Sequence, residues 1–216
     1  MNPARVEVEG EEVGHHYGRR VGLRSTSFRL ESPGVVAIRG ANGSGKSTLM
    51  RILAGLLRPS HGRTRLRIGE RELAAKGRFR HVGYAAPDLA FYPEFSVTEN
   101  LAFAAETRGD SRPSVAVKEA VEQVGLQTRA ADRVAALSSG MLQRLRLAFA
   151  LLHDPALLLL DEPANHLDEE GRVTFETWLG RARGGRLIVM ATNDEREWRL
   201  ADRTIELQGR GLGDPA

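Results

Sequence analysis

The chain of 216 residues contains no cysteine. Disulfides, thiolate metal sites and cysteine nucleophiles are therefore closed to it, as suits a reducing compartment. Lysine is almost as scarce: Lys46, Lys76 and Lys118 are the whole supply in a chain that otherwise draws its positive charge from arginine. Long apolar runs are missing as well. "PALLLL" and "LAFALL" fall far short of the roughly 20 residues a spanning helix needs, so any membrane role is expected to come through a partner. The opening "MNPARVEVEGEE" alternates charge with apolar residues and lacks the apolar core of a signal peptide. A net charge of +3, from 31 basic and 28 acidic side chains spread along the chain, offers no clustered footprint for polyanions. No nucleic-acid partner is expected.

What is present is a globular balance, 41% hydrophobic and 27% charged, with enough length to bury a core. "RVEVEG" alternates like a half-buried strand, and "GVVAIRG", Gly34 to Gly40, is a continuous apolar run like a strand covered on both faces. A helix should follow from Lys46 to Leu57, stopped by Pro59 and Gly62, with "RTRLRIG" and "FRHVGYA" as further strands. The middle of the chain changes character. Ser96 and Glu99 make a capping-box pattern before one amphipathic run, "SVAVKEAVEQVG" forms another that stops at Gly125, and a third helix follows "LSSG". Then "PALLLLDEP" reads as a buried strand, Glu169 to Arg181 as a helix capped by Asp168, "RLIVMAT" as a strand, Asp194 to Leu200 as a short helix and "RTIELQG" as the last strand. The pattern predicts an α/β fold with a mixed sheet, a β-rich N-terminal part and an inserted helical lobe. Its division is a core of 1–87 and 154–216 and a helical subdomain of 88–153.

Between the strand "GVVAIRG" and its helix stands "GANGSGKST", Gly40 to Thr48, which matches GxxxxGK[ST] in the strand–loop–helix setting that motif requires. Glycines at Gly43 and Gly45 let successive backbone N–H groups curl around phosphate oxygens, and the helix end adds about half a positive charge beneath them. Lys46, one of so few lysines, suits the terminal phosphates as a point charge where a planar guanidinium would not fit. The Ser47 hydroxyl suits Mg²⁺. The expected nucleotide set is thus Asn42, Gly43, Ser44, Gly45, Lys46, Ser47 and Thr48, with ATP and Mg²⁺ as ligands. At the carboxyl end of the second buried strand stand Asp161 and Glu162, where open α/β sheets bind ligands. Asp161 suits Mg²⁺ and Glu162 can polarise a water; alone, the pair could equally be a solvated turn.

A second phosphate-binding end is offered by Ser138, Ser139 and Gly140 in "LSSGMLQR", where a helix start exposes free N–H groups and hydroxyls. A plain serine cap is the commoner role for such residues. In the order "GANGSGKST", "GYAAPD", "LSSGM", "LLLLDEP", "NHLD" and "ATND", however, the chain resembles the ATP-binding cassette family over nearly its whole length. The resemblance implies an ATPase whose two cassettes, as a homodimer or heterodimer, sandwich ATP so that one subunit's Ser138–Gly140 caps the nucleotide held by the other's Lys46. It also implies an integral-membrane permease as partner, a cytoplasmic location on the inner face of the membrane, adenine stacked on Tyr17, Asp168 in the loop linking the two sites, and Phe91, Tyr92 and Phe95 near the permease surface.

Three positions depart from the family pattern. Pro87 replaces a glutamine that touches Mg²⁺ and the attacking water, and Asp88 next to it could supply an oxygen instead. Met141 replaces the glutamine ending the signature. Asn193 replaces a histidine at the γ-phosphate, keeping a hydrogen-bond donor but losing the possibility of charge, so slow hydrolysis with Glu162 as base is expected. Haem-exporter-like cassettes share the short length and variant motifs. A soluble cassette ATPase acting on ribosomes or nucleic acid is the alternative, though such proteins carry paired cassettes or long insertions. A small-molecule kinase or GTPase is more remote, since no NKxD is present and a signature would serve no purpose there.

Overall fold

Strands β1 (Val6–Tyr17) and β2 (Arg20–Glu31) form a hairpin turned at Gly18, whose φ of 61° suits glycine. After β3 (Gly34–Arg39) and helix α1 (Lys46–Leu53) come β4 (His61–Ile68), the short β5 (Arg71–Glu72) and β6 (Val82–Ala85). Three helices follow: α2 (Val97–Arg108), α3 (Pro113–Gln123) and α4 (Ser139–Leu151). The chain then runs through β7 (Leu157–Asp161), α5 (Glu169–Ala182), β8 (Leu187–Ala191), the single-turn α6 (Glu195–Trp198) and β9 (Arg203–Glu206). This computed structural model describes residues 4–109 and 112–208; Gly209, the expected end of the last strand, lies outside them.

The expected α/β core with its β-rich N-terminal part and inserted helices is present, and its parallel and antiparallel pairings fall in two sheets. One is antiparallel in the order β2-β1-β4-β5; the other, β6-β7-β8-β3-β9, is parallel throughout. The apolar strands of the parallel sheet feed two cores by simple alternation. Leu158, Leu160, Ile188 and Met190 face the helical layer with Leu145, Ala148 and Phe175, whereas Leu157, Leu159, Val189 and Ile38 face α1 and the antiparallel sheet with Leu49, Ile52 and Leu66. Burial on both faces is why these strands read as unbroken apolar runs.

The outer face of the antiparallel sheet is charged and matched by register. Glu9 of the central strand lies opposite Arg29 on β2 and Arg65 on β4, while Glu11 lies opposite Arg63 and Glu7 opposite Arg67. Ion pairs cross the strands at 3.7 Å (Arg29–Glu9), 3.8 Å (Arg65–Glu9), 3.2 Å (Arg65–Glu11) and 3.7 Å (Arg67–Glu7).

Two expected elements are shorter than their sequence patterns. α1 ends at Leu53 instead of Leu57, because Gly55 adopts φ 77° and the Arg78 guanidinium occupies the carbonyls of Ile52 and Leu53 at 3.3 Å each. β6 begins at Val82 instead of Phe79, because Ala75–Arg80 winds into a 3₁₀ helix that delivers Arg78 to that buried position. Elsewhere the expected caps are present. Ser96 accepts from the Glu99 amide at 3.1 Å while the Glu99 carboxylate accepts from the Ser96 amide at 2.7 Å, and Asp168 accepts from the Gly171 amide at 2.8 Å.

At the end of α4, His153 Nδ1 lies 2.9 Å from Arg108 Nη1. A guanidinium can only donate, so the imidazole is neutral, with its proton on Nε2. Burial, reinforced by the Arg108 charge, holds its pKa down at about 4. In the unfolded chain a histidine takes up its proton near 6.5, so the stability that rests on neutral His153 is lost as pH falls from there toward 4, by up to ~3 kcal/mol. Urea midpoints measured at pH 7 and 4.5 should fall accordingly in the wild type, and His153→Gln should flatten that component.

Candidate active site

Strands β7, β8 and β3 are neighbours in the parallel sheet, so the segments leaving their carboxyl ends converge. β3 delivers the loop 40–45, β7 delivers Asp161 and Glu162, and β8 delivers Asn193. A cleft of about 320 Å³ opens there, lined by Tyr17, Arg20, Gly22, Asn42, Gly43, Gly45, Lys46, Ser47, Thr48, Arg51 and Glu162.

The loop glycines serve two different needs. Gly43 has φ 80° and nothing within 4 Å of where a Cβ would stand, so the backbone is open to a ligand at that point. Gly45 has φ 102°, and a Cβ would fall 2.6 Å from the Gly22 carbonyl, so β2 presses against the loop from behind. The Ser44 hydroxyl is buried in this loop with no protein partner among the described residues. The Lys46 ammonium bonds the carbonyl of Gly40 at 2.7 Å, that of Ala41 at 3.3 Å and Asn193 Oδ1 at 2.9 Å. Burial pulls its pKa down, opposed by the charges of Glu162 and Asp161. Asn193 donates its amide to Asn42 Oδ1 and so bridges the lysine to the loop.

Asp161 is 2% exposed and hydrogen-bonds the Ser47 hydroxyl; burial raises its pKa. Tyr84 of β6 lies beside it, its phenol pushed well above the ordinary range by burial and by the Asp161 charge. Glu162 adopts φ 51°, in the left-handed region that costs a side-chain-bearing residue of order 1–3 kcal/mol. Its amide donates to the Ala191 carbonyl at 2.8 Å, and its carboxylate accepts from Asn165 at 3.1 Å.

Ser138, Ser139 and Gly140 are not brought to this cleft: none of them lines it. Ser138 caps α4, accepting from the Met141 amide at 3.2 Å, and Ser139 and Gly140 are the next residues of that helix start. A Cβ on Gly140 would stand 2.9 Å from the His166 carbonyl, so glycine lets the loop after Glu162 approach the helix tip. Asp168 both caps α5 and accepts from Arg144 at 3.2 Å.

The Asp88 carboxylate accepts from Arg51 at 2.8 Å; Arg51 lines the cleft, while Asp88 itself lines an adjoining hollow with Leu56, Tyr84 and Phe149. The aromatics divide. Phe91 packs edge-on to Phe149 against the core, while Tyr92 and Phe95 remain exposed with rings 5.4 Å apart. Tyr17 is 45% exposed at the cleft, edge-on to His15.

Sequence reasoning missed several residues that hold this site. Arg20 and Gly22 belong to β2, a strand that the sequence pattern does not signal. Gln143 donates to the carbonyls of Glu162 and Pro163, both at 3.1 Å, and Glu197 accepts from the Ala164 amide at 3.1 Å. A signal for Gln143 existed: it sits four and eight residues before Leu147 and Leu151, a polar side chain on a buried helical stripe.

A glycine loop entering a helix, a lysine in its first turn and acidic residues closing the neighbouring buried strand define a P-loop nucleotide-binding protein of the parallel α/β type. The sequence profile of the family described as ABC transporter matches residues 23–165, and the chain belongs to that family. It is 40% identical over 164 residues to the uncharacterised ABC transporter ATP-binding protein YxlF of Bacillus subtilis, covering 75% of this chain and 54% of that one. It is 35% identical to an aliphatic sulfonates import ATP-binding protein of Pseudomonas entomophila, covering 96% of this chain and 75% of that one. Among solved structures, an ATP-binding cassette dimer in a post-hydrolysis state with ADP and Pi superposes with a TM-score of 0.82 at 22% identity, over 94% of this chain and 97% of the other. The chain spans 54–62% of the length of three curated relatives, YxlF among them.

Proposed function

We propose that this chain binds and hydrolyses ATP as the motor subunit of an ABC transporter, driving a separate membrane permease by closing and reopening a cassette dimer. The observation that carries this reading is the separation of the two anion sites. One chain holds a complete P-loop cleft and, elsewhere, the serine-rich tip of α4, which lines no part of it. A second copy supplies the missing wall. The import role in the sulfonate relative's name supports a permease partner. No helix among the described residues is long and apolar enough to cross a membrane. We place it on the cytoplasmic side.

In this reading the phosphates of ATP take over the bonds that Lys46 makes to Gly40, Ala41 and Asn193, while Tyr17 offers a face to the base. The fit to Mg²⁺ rests on hard oxygen donors, the adjoining Ser47 hydroxyl and Asp161 carboxylate, and on a deeply buried acid whose charge lacks full compensation. When bound there, the ion neutralises phosphate charge. Glu162 accepts a proton from the attacking water, whose oxygen bonds the γ-phosphorus as the bond to the β–γ bridging oxygen breaks. Asn193 donates a hydrogen bond to the phosphoryl oxygens.

Light scattering on the chain with ATP, with hydrolysis blocked by omission of Mg²⁺ or by an analogue, tests the reading. Dimers are expected with nucleotide and monomers without it. Substituting Ser139→Asp, which sets a carboxylate against the partner's phosphates without the backbone clash that a side chain on Gly140 would meet, should abolish the dimer while nucleotide still binds the P-loop. A strictly monomeric chain at saturating nucleotide, with its permease also supplied, would overturn it.

A further inference from the structure

The backbone of Glu162 sits in an unfavourable conformation, and such geometry persists only where surroundings over-determine it. Three groups outside its own strand grip this segment. Glu197 of α6 accepts from Ala164, the Ala191 carbonyl accepts from the Glu162 amide, and Gln143 of α4 donates to Glu162 and Pro163 together. Of these, Gln143 alone comes from the three-helix stretch α2–α4, and it shares the Glu162 carbonyl with the Asn165 amide, 3.2 Å away.

Gln143 is itself held. Its Oε1 accepts from Arg146 Nη1 at 3.1 Å, and because a guanidinium has no acceptor this fixes the amide so that Nε2 must face the two carbonyls. The same guanidinium, through Nε, donates to the Leu89 carbonyl at 3.3 Å. Burial opposes the Arg146 charge and the neighbouring Asp88 supports it; Asp88 in turn pairs with Arg51 of α1. The loop 86–90, the signature helix α4 and the Glu162 carbonyl are thus joined by one run of hydrogen bonds, Leu89 to Arg146 to Gln143 to Glu162. Gln143 is 5% exposed, so water cannot readily replace it.

We infer that Gln143 and Arg146 are positioning residues, a polar relay through which the placement of loop 86–90 and α4 sets the backbone, and hence the carboxylate, of Glu162. This rests on the proposal that Glu162 polarises the attacking water.

The test uses the full chain with steady-state phosphate release and ATP binding. Gln143→Met keeps volume but removes the donor, and is expected to lower kcat about 10- to 100-fold while KM and ATP affinity stay within about twofold. Arg146→Met should lower kcat in the same way, and the double variant should fall no further than Gln143→Met alone, since both break one relay. Wild-type kcat in Gln143→Met, a loss carried by KM, or losses that multiply in the double variant would overturn the inference. Hydrogen exchange over residues 161–166 supplies a readout independent of turnover: Gln143→Met should speed it, and unchanged exchange counts against the relay. If Gln143→Met does not fold, Arg146→Met carries both measurements. Should wild type and Glu162→Gln hydrolyse equally, the role of Glu162 has failed, and exchange alone decides the relay.

Discussion

Glu162→Gln is expected to lower steady-state phosphate release by ~10²–10⁴, the span typical of losing a positioned general base. The change is close to isosteric, and glutamine can still accept from Asn165 and keep its amide on Ala191, so the segment should hold its shape. ATP affinity should be retained, because Lys46, Ser47 and the loop amides are untouched, and the blocked enzyme should accumulate as a nucleotide-bound dimer. Asn193→His serves as the opposite arm of the same assay. An imidazolium there would add charge to a donor that Asn193 provides only as a neutral amide, and phosphate release should rise, by less than ~10²-fold. Equal rates in wild type and Glu162→Gln would remove Glu162 from the chemistry; no change in Asn193→His would leave Asn193 as the bridge between Lys46 and Asn42.

The second large effect is on binding. Lys46→Ala should weaken ATP by ~10²–10⁴, since charge-assisted hydrogen bonds contribute about 1.5–3 kcal/mol each and two phosphates lose their cation. Lys46→Arg should fare little better. The lysine lies 7% exposed under the loop with its bonds aimed at Gly40, Ala41 and Asn193, a space shaped for a compact ammonium. The folded state should tolerate the alanine, because burial already disfavours the Lys46 charge. Isothermal titration with ATP measures the first claim and thermal unfolding without nucleotide the second. Wild-type affinity in Lys46→Ala would mean that the cleft is not the nucleotide site.

The parts of the molecule visible in the sequence are those in which one local rule acts alone. "GANGSGKST" announces its turn, its helix and its chemistry together, Ser96 and Glu99 announce a helix start, and the apolar run of Leu157–Leu160 could be nothing but buried. What stayed hidden depends on distant partners. β2 follows a strand whose alternation is broken by irregular register between Gly10 and His16, so the hairpin leaves no clean period. The early end of α1 is set by Arg78, 25 residues beyond Leu53 and arriving on a 3₁₀ helix. Asp88 offers an oxygen by position alone, but tertiary structure gives that oxygen to Arg51. Gln143 and Glu197 grip the Glu162 segment from two separate helices; spacing marks Gln143 as a polar side chain on a buried stripe but does not name its partners.

The crossed rows of glutamate and arginine on the outer sheet face have an effect on how the protein meets its surroundings. Each guanidinium in that lattice already has an anion within reach, so an isoelectric point near 9.7 overstates how attractive this wall is to polyphosphates. Its pairs, 3.2–3.8 Å long, lie well inside the Debye length of ~10 Å at 0.1 M, so moderate salt leaves them in place and only electrolyte near ~1 M, where that length shrinks to ~3 Å, screens them. Concentrated salt should therefore unmask the arginines of this outer face without loosening the sheet, whose strands are held by their ladder and by the apolar core beneath them.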